Sequence, residues 1–192
     1  VLHLGDAKSP PGRYNREHNN SQKHACFFRT ASLLHRWRQK GNQLMFTGKA
    51  APLSQQGIET VLGRLGVDAP ALWAVLTVET SGCGFLPDRR PKILFERHWF
   101  SRLTHGRFDA QAPDISNRSA GGYGDGGASQ YERLTRAMML DREAALKSTS
   151  WGLGQVMGFN AGKVGSASVD ALVSASQASE DAQLDAMAGF IE

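Results

Sequence analysis

The stretch Ser54-Gln-Gln-Gly-Ile-Glu-Thr-Val-Leu-Gly-Arg-Leu-Gly66-Val-Asp68-Ala-Pro-Ala-Leu-Trp-Ala-Val-Leu-Thr-Val-Glu79-Thr-Ser-Gly-Cys-Gly84 decides the fold class. Ser54 is an N-cap residue, and Ile58, Val61, Leu62 and Leu65 recur at i, i+3, i+4 and i+7, the spacing of one helix face. Gly66 ends that helix. Asp68-Ala69-Pro70 opens a second, because proline is tolerated in a first helical turn. Leu72, Val75, Leu76 and Val78 form its expected apolar face, and it runs to Glu79 before the small residues Ser81-Gly82-Cys83-Gly84 stop it. Two such helices in succession point to a mainly α domain.

Reading outward, helix signals continue. Ser129 and Glu132 have capping-box spacing ahead of Tyr131, Leu134 and Met138. Asp141 caps a short helix through Leu146, Ser168 one bearing Val169, Leu172 and Val173, and Ser179 one bearing Leu184, Met187 and Ile191. Pro87-Asp88-Arg89-Arg90-Pro91 reads as a turn with room for a short hairpin, and Ile93–Phe100 fits a strand or a helix. Thr149–Gly158 reads as a glycine-punctuated turn into a helix, and Ala120–Ser129 as a mobile surface loop. The expected fold class is mainly α (α+β), with at most a small β-hairpin.

The 192 residues suit one domain with a sizeable core; 41% are apolar and 21% charged, which excludes wholesale disorder. The longest apolar-rich run, Ala69–Val78, is too short to cross a bilayer. The net charge of +4 is unevenly spread. Residues 1–44 carry 8 Lys and Arg against 2 Asp and Glu, whereas residues 45–192 carry 14 against 16. The basic first segment contains one weakly amphipathic stretch, Ala31–Lys40, and Met45 stands just before the well-patterned region. The expected organisation is therefore a non-native or processed segment 1–44 followed by a domain over 45–192. The first segment could make transient contact with an anionic envelope. Cys26 and Cys83 form no disulfide framework, no Cys/His spacing fits a metal site, and Val1–Asn20 has no secretory core.

Chemistry concentrates at two places. Glu79 closes an apolar helix, where shielding and the negative end of the helix dipole both disfavour the carboxylate and suit a general acid. The alternative is a solvated helix-end glutamate. Ser150-Trp151-Gly-Leu-Gly-Gln155-Val-Met-Gly-Phe-Asn160 combines an aromatic, glycines and amides, which suits a long sugar polymer approaching the backbone. Its alternative is a tightly packed turn with Trp151 in the core.

Glu79-Thr-Ser-Gly-Cys-Gly-Phe, Arg90-Pro-Lys-Ile-Leu-Phe-Glu-Arg-His-Trp-Phe, Ser150–Asn160 and Ser179-Glu-Asp-Ala-Gln-Leu-Asp-Ala, in that order, resemble the N-acetylmuramidase domain of phage endolysins and prophage proteins. The resemblance runs from about Ser54 to Glu192 and implies a lysozyme-like domain. It implies cleavage of the β-1,4 bond between N-acetylmuramic acid and N-acetylglucosamine in peptidoglycan, without a cofactor. Glu79 matches the family's catalytic acid. The second carboxylate is Glu96 or Asp88, and Trp151, Gln155, Asn160, His98 and Tyr123 are the candidate substrate contacts. Glu180, Asp181 and Asp185 are expected on a solvated helix face, although the match around Gln183 hints at packing. Family members continue past Ile191 with a further helical stretch containing a Tyr-Asn-Gly segment, so a truncated form is expected. A lytic transglycosylase and an inactive glycan-binding domain are the rival readings. The remaining expectations are a monomer with no nucleic-acid partner, made in the cytoplasm and acting on the cell wall after release.

Overall fold

In the computed structural model of this chain, residues 45–80 and 82–192 are described, without the side chains of Glu79 and Thr80. The weakly amphipathic stretch Ala31–Lys40, Cys26 and the basic segment lie outside the described residues. Among the described residues are seven α-helices and one small antiparallel sheet, a mainly α architecture.

The helices form where their caps allow. Helix α1 (Gln55–Leu65) starts at Ser54, whose side chain accepts the Gly57 N–H, and ends at Gly66 with φ of 64°. Helix α2 (Ala69–Thr80) begins after Asp68, whose carboxylate accepts the Ala71 N–H at 3.0 Å. Its buried face is narrower than the expected stripe. Leu72 and Leu76 are buried, while Val75 and Val78 face outward. A helix this apolar all round has more greasy positions than one contact face can cover. No single helix among the described residues is long and apolar enough to cross a membrane.

The segment Ile93–Phe100, open between strand and helix, is both. Strand β1 (Ile93–Phe95) passes through Glu96 into helix α3 (Arg97–Leu103). The turn ahead of it closes by the Leu86 N–H donating to Arg90 O at 2.8 Å, with a bridge between Phe85 and Pro91. Helix α4 (Ser129–Leu140) departs from the capping-box expectation. Its N-cap position is Ala128 without a side-chain bond, and the Ser129 hydroxyl turns back to the Asp125 and Gly126 carbonyls. Helix α5 (Arg142–Lys147) is capped by Asp141, whose side chain accepts the Ala144 N–H.

Thr149–Gly158 also departs from its expectation. It is a hairpin of β2 (Thr149–Trp151) and β3 (Val156–Met157), followed by a 3-10 turn at Gly158–Asn160. Strand β2 is central: Ile93 pairs with Trp151 and Phe95 with Thr149 on one side, and Trp151 with Val156 on the other. Three- and two-residue strands hold no readable period of two, and the glycines that allow the tight turn resemble a helix entry in sequence. Helices α6 (Val169–Ala178) and α7 (Glu180–Ile191) start at Ser168 and Ser179, whose hydroxyls accept the Ala171 and Ala182 N–H groups.

Two apolar clusters form the core. One gathers Phe95, Phe100, Phe108, Ile115, Tyr131, Leu134, Leu146 and Trp151 from the sheet and α3–α5. The other gathers Val61, Leu72, Leu76, Leu172, Leu184 and Met187 from α1, α2, α6 and α7 with Leu153 and Val156 of the hairpin. The hairpin runs between them, giving Trp151 to the first and Leu153 and Val156 to the second.

Candidate active site

Helix α2 delivers Glu79 in its last turn, and the loop behind it is fixed from three directions. The Gly82 N–H donates to Leu76 O at 3.0 Å, closing the helix end. The Gly84 N–H donates to Glu180 Oε1 at 2.7 Å, and Gly84 O accepts the Lys92 N–H at 2.7 Å. The other Glu180 oxygen accepts the Leu53 N–H at 3.0 Å, so one carboxylate joins the entry to α1 and the exit from α2 to the start of α7. Glu180 is only 9% exposed and accepts backbone donors, and Asp181 accepts the N–H and hydroxyl of Ser54. The expectation of a solvated acidic face therefore holds only for Asp185, which pairs with Arg64 at the surface.

Gln183 is the second anchor. Its Oε1 accepts the Leu153 N–H at 2.7 Å, and its Nε2 donates to Ser176 O at 2.7 Å. A side chain at Gly84 or Gly152 would collide with the Gln183 amide, and Gly152 also has φ of 68°. These glycines are set by close approach within the fold. Gly152 in turn donates to Lys92 O at 2.8 Å, so the four segments that carry the family resemblance meet around Gly84, Lys92, Gly152 and Gln183. The sequence places Glu180 on a solvated face and gives Gln183 only a hint of packing through the family match, although with Leu184 and Met187 they occupy i, i+3, i+4 and i+7 of α7. A polar residue on an apolar stripe is the signal that would have found them.

The candidate second carboxylates differ in their engagement. Asp88 accepts the Arg90 N–H at 3.1 Å and its Nε–H at 2.9 Å, with a further contact to the guanidinium at 2.6 Å. That guanidinium lies 4.1 Å over the ring of Tyr131, whose hydroxyl donates to Pro91 O at 2.8 Å; burial pushes this phenol well above its usual range. Asp88 is thus committed to holding its own turn. Glu96 stands at the junction of β1 and α3, with its backbone N–H bonded to Ser148 O at 3.0 Å. Its carboxylate lies 3.1 Å from His98 Nδ1, an ionic contact when the imidazole is protonated and not an aligned hydrogen bond.

The candidate sugar contacts separate. Trp151 is 2% exposed, donates its indole N–H to Leu146 O at 3.2 Å and packs 5.6 Å from Phe46. It has no open ring face, which overturns the expectation of a stacking platform and leaves the core alternative. Gln155 is half-buried with φ of 47°; it accepts from Ser150 Oγ at 2.8 Å and donates to Gly152 O at 2.8 Å, within the hairpin turn. Asn160 is half-buried next to Phe159, whose ring lies 4.5 Å from Trp99 of α3. Tyr123 is 36% exposed, and its carbonyl accepts from the buried Gln130 at 2.7 Å. Gln130 also holds Asp125 O, and Arg133 holds Gly122 O, so the glycine loop is tied at its base. The geometry joins Glu96 to His98 and Gln155 to the glycine cluster. Among the described residues no contact ties Tyr123 or Asn160 to either group.

His98 opens onto a cleft of about 560 Å³, lined by His98, Ser101, Arg102, His105, Gly106 and Arg118. Beneath it, Asp109 accepts the hydroxyls of Ser116 at 2.6 Å and Ser101 at 3.1 Å, which together hold its carboxyl below the usual range.

The N-acetylmuramidase family model matches residues 68–192, which encloses all four segments. The chain is similar to the crystal structure of a Burkholderia AP3 phage endolysin, with a TM-score of 0.67 and 39% identity, over 79% of this chain and 56% of that one. The chain therefore spans little more than half the endolysin's length. No curated protein matches. The fold is that of a lysozyme-like domain.

Proposed function

The chain belongs to the N-acetylmuramidase family, and on that premise we propose that it hydrolyses the β-1,4 bond between N-acetylmuramic acid and N-acetylglucosamine in peptidoglycan, with Glu79 as the general acid. The observation that carries this reading is the anchoring of the loop after Glu79. Glu180 and Lys92 fix it from two other family-matched segments. A general acid needs that kind of preorganisation to deliver a proton to a bridging oxygen. Glu96 is the better second carboxylate. Among the described residues its carboxylate contacts the His98 imidazole, whereas Asp88 is held by a guanidinium that never deprotonates. In this role Glu96 directs a water to the anomeric carbon or stabilises its positive charge.

Turbidity loss of purified peptidoglycan, with product masses, tests the reading. Wild type is expected to clear the suspension and release reducing muropeptides, and Glu79→Gln to retain the fold and lose clearing. Clearing by Glu79→Gln at the wild-type rate would overturn the assignment. The engagement of Asp88 by Arg90 favours one second reading, a lytic transglycosylase that works with a single carboxylate. Products of 1,6-anhydro mass would establish that reading in place of hydrolysis.

A further inference from the structure

We propose that the cleft on the outer face of α3 is a subsite for the carboxylates of the peptide stems borne by the glycan strand. The inference rests on the peptidoglycan reading above and extends it to a part of the substrate away from the scissile bond. His98, Ser101 and Arg102 of α3 fall at i, i+3 and i+4 and form one wall, His105 follows just beyond the helix end, and Gly106 and Arg118 complete the lining. A volume of about 560 Å³ accommodates more than a single ion and suits a short peptide.

The charge favours an anion. Two guanidinium groups and two imidazoles line the cleft. Of the carboxylates beside it, Asp109 is already engaged by the Ser101 and Ser116 hydroxyls and lies 3.7 Å from Arg118 Nε, and Glu96 contacts His98. The Arg118 side chain is 86% exposed, so most of its donors face solvent. The Arg102 guanidinium lies 5.1 Å over the Trp99 ring, which holds it in place before a ligand arrives and lowers the entropy lost on binding.

The lining also argues against a sugar ring. Among the described residues no aromatic carbocycle and no amide side chain lines the cleft, and these are the groups that recognise sugar faces and N-acetyl groups. Paired guanidinium groups instead match the planar geometry of carboxylates. The cleft starts one side chain from the candidate site, because His98 lines it and also contacts Glu96. A stem held there would fix its muramic acid relative to Glu96.

The test uses full-length protein, the double variant Arg102→Ala/Arg118→Ala, and two substrates: peptidoglycan with its stems, and glycan strands stripped of stems by an amidase. The double variant is expected to raise KM about tenfold on the stem-bearing substrate, with kcat and the KM on stripped strands unchanged. Equal changes on both substrates, or no change on either, would overturn the subsite. A second measurement is independent of turnover: calorimetric titration with free stem tetrapeptide and with the same peptide amidated at its carboxyls. Wild type should bind the acid form more tightly than the amide, and the double variant should bind the two alike. Acid-selective binding by a wild type that clears no peptidoglycan would sustain the subsite and sink the muramidase reading. Absence of acid-selective binding in wild type would sink the subsite alone.

Discussion

Trp151 shows how one side chain changes meaning between sequence and fold. The glycines around it invite a sugar-binding reading, but its ring fills the space between β1, α5 and Phe46, and its indole N–H is satisfied by Leu146 O. Trp151→Ala is therefore expected to cost about 3–5 kcal/mol of stability by leaving a cavity, read as a large drop in Tm. Trp151→Phe keeps most of the volume and loses the hydrogen bond, for about 1 kcal/mol. A Trp151→Ala protein with unchanged Tm and a raised KM would restore the stacking role. Asp88 changed meaning in the same way. It stands beside Glu96 as a candidate second carboxylate in the sequence, and nothing there announces that Arg90, two residues on, claims the carboxylate. Asp88→Asn is expected to lower Tm while leaving kcat close to wild type, and Glu96→Gln to lower kcat with little change in Tm. The reverse pattern in paired melting and turnover assays would exchange their roles.

Among the elements, helices were legible and strands were not, and the difference is physical. Ser54, Asp141, Ser168 and Ser179 each satisfy a first-turn N–H, so four helix starts are written in single side chains. Strands of two or three residues carry no such mark; they exist because β2 finds partners on both sides. Buried faces were half legible. Leu72 and Leu76 were read correctly, but the outward turn of Val75 and Val78 depends on where α1, α6 and α7 lie. Helix α7 is the element whose polar groups matter most to the site. Glu180 offers two acceptor oxygens to two backbone donors, Leu53 N–H and Gly84 N–H. Glu180→Gln must set an NH₂ against one of those donors, so it is expected to destabilise by about 1–3 kcal/mol. Because Gly84 belongs to the loop behind Glu79, kcat should fall below what the unfolded fraction explains when assayed well under Tm. A loss of Tm with unchanged kcat would reduce Glu180 to a purely structural clamp.

For the whole molecule, net charge is the wrong summary. The +4 arises from residues 1–44, and the described domain carries more acids than bases. Its carboxylates are instead organised one by one. Asp109 is held below its usual range by the Ser116 and Ser101 hydroxyls, Asp114 by Arg136, Asp170 by Arg142 and Glu192 by Arg64. Each binds its proton less readily in the folded chain than in the unfolded one. The stability these groups contribute is therefore present above the unfolded carboxyl range, about pH 4, and lost as pH falls through the depressed folded values. The three ion pairs are exposed and screened by salt, so their share should shrink in high salt. Asp109 relies on neutral hydroxyls for its largest contributions, so its share should survive salt. Thermal melts from neutral pH down to about pH 3, in low and high salt, separate the two. Wild type is expected to lose Tm steadily over the acid end of that range, and high salt to remove only part of the slope. Asp109→Asn, which has no charge to titrate there, should melt lower at neutral pH and converge on wild type as the acid limb is descended. Parallel curves for the two proteins at every pH would show that the Ser101–Asp109–Ser116 bridge beneath the α3 cleft contributes packing alone.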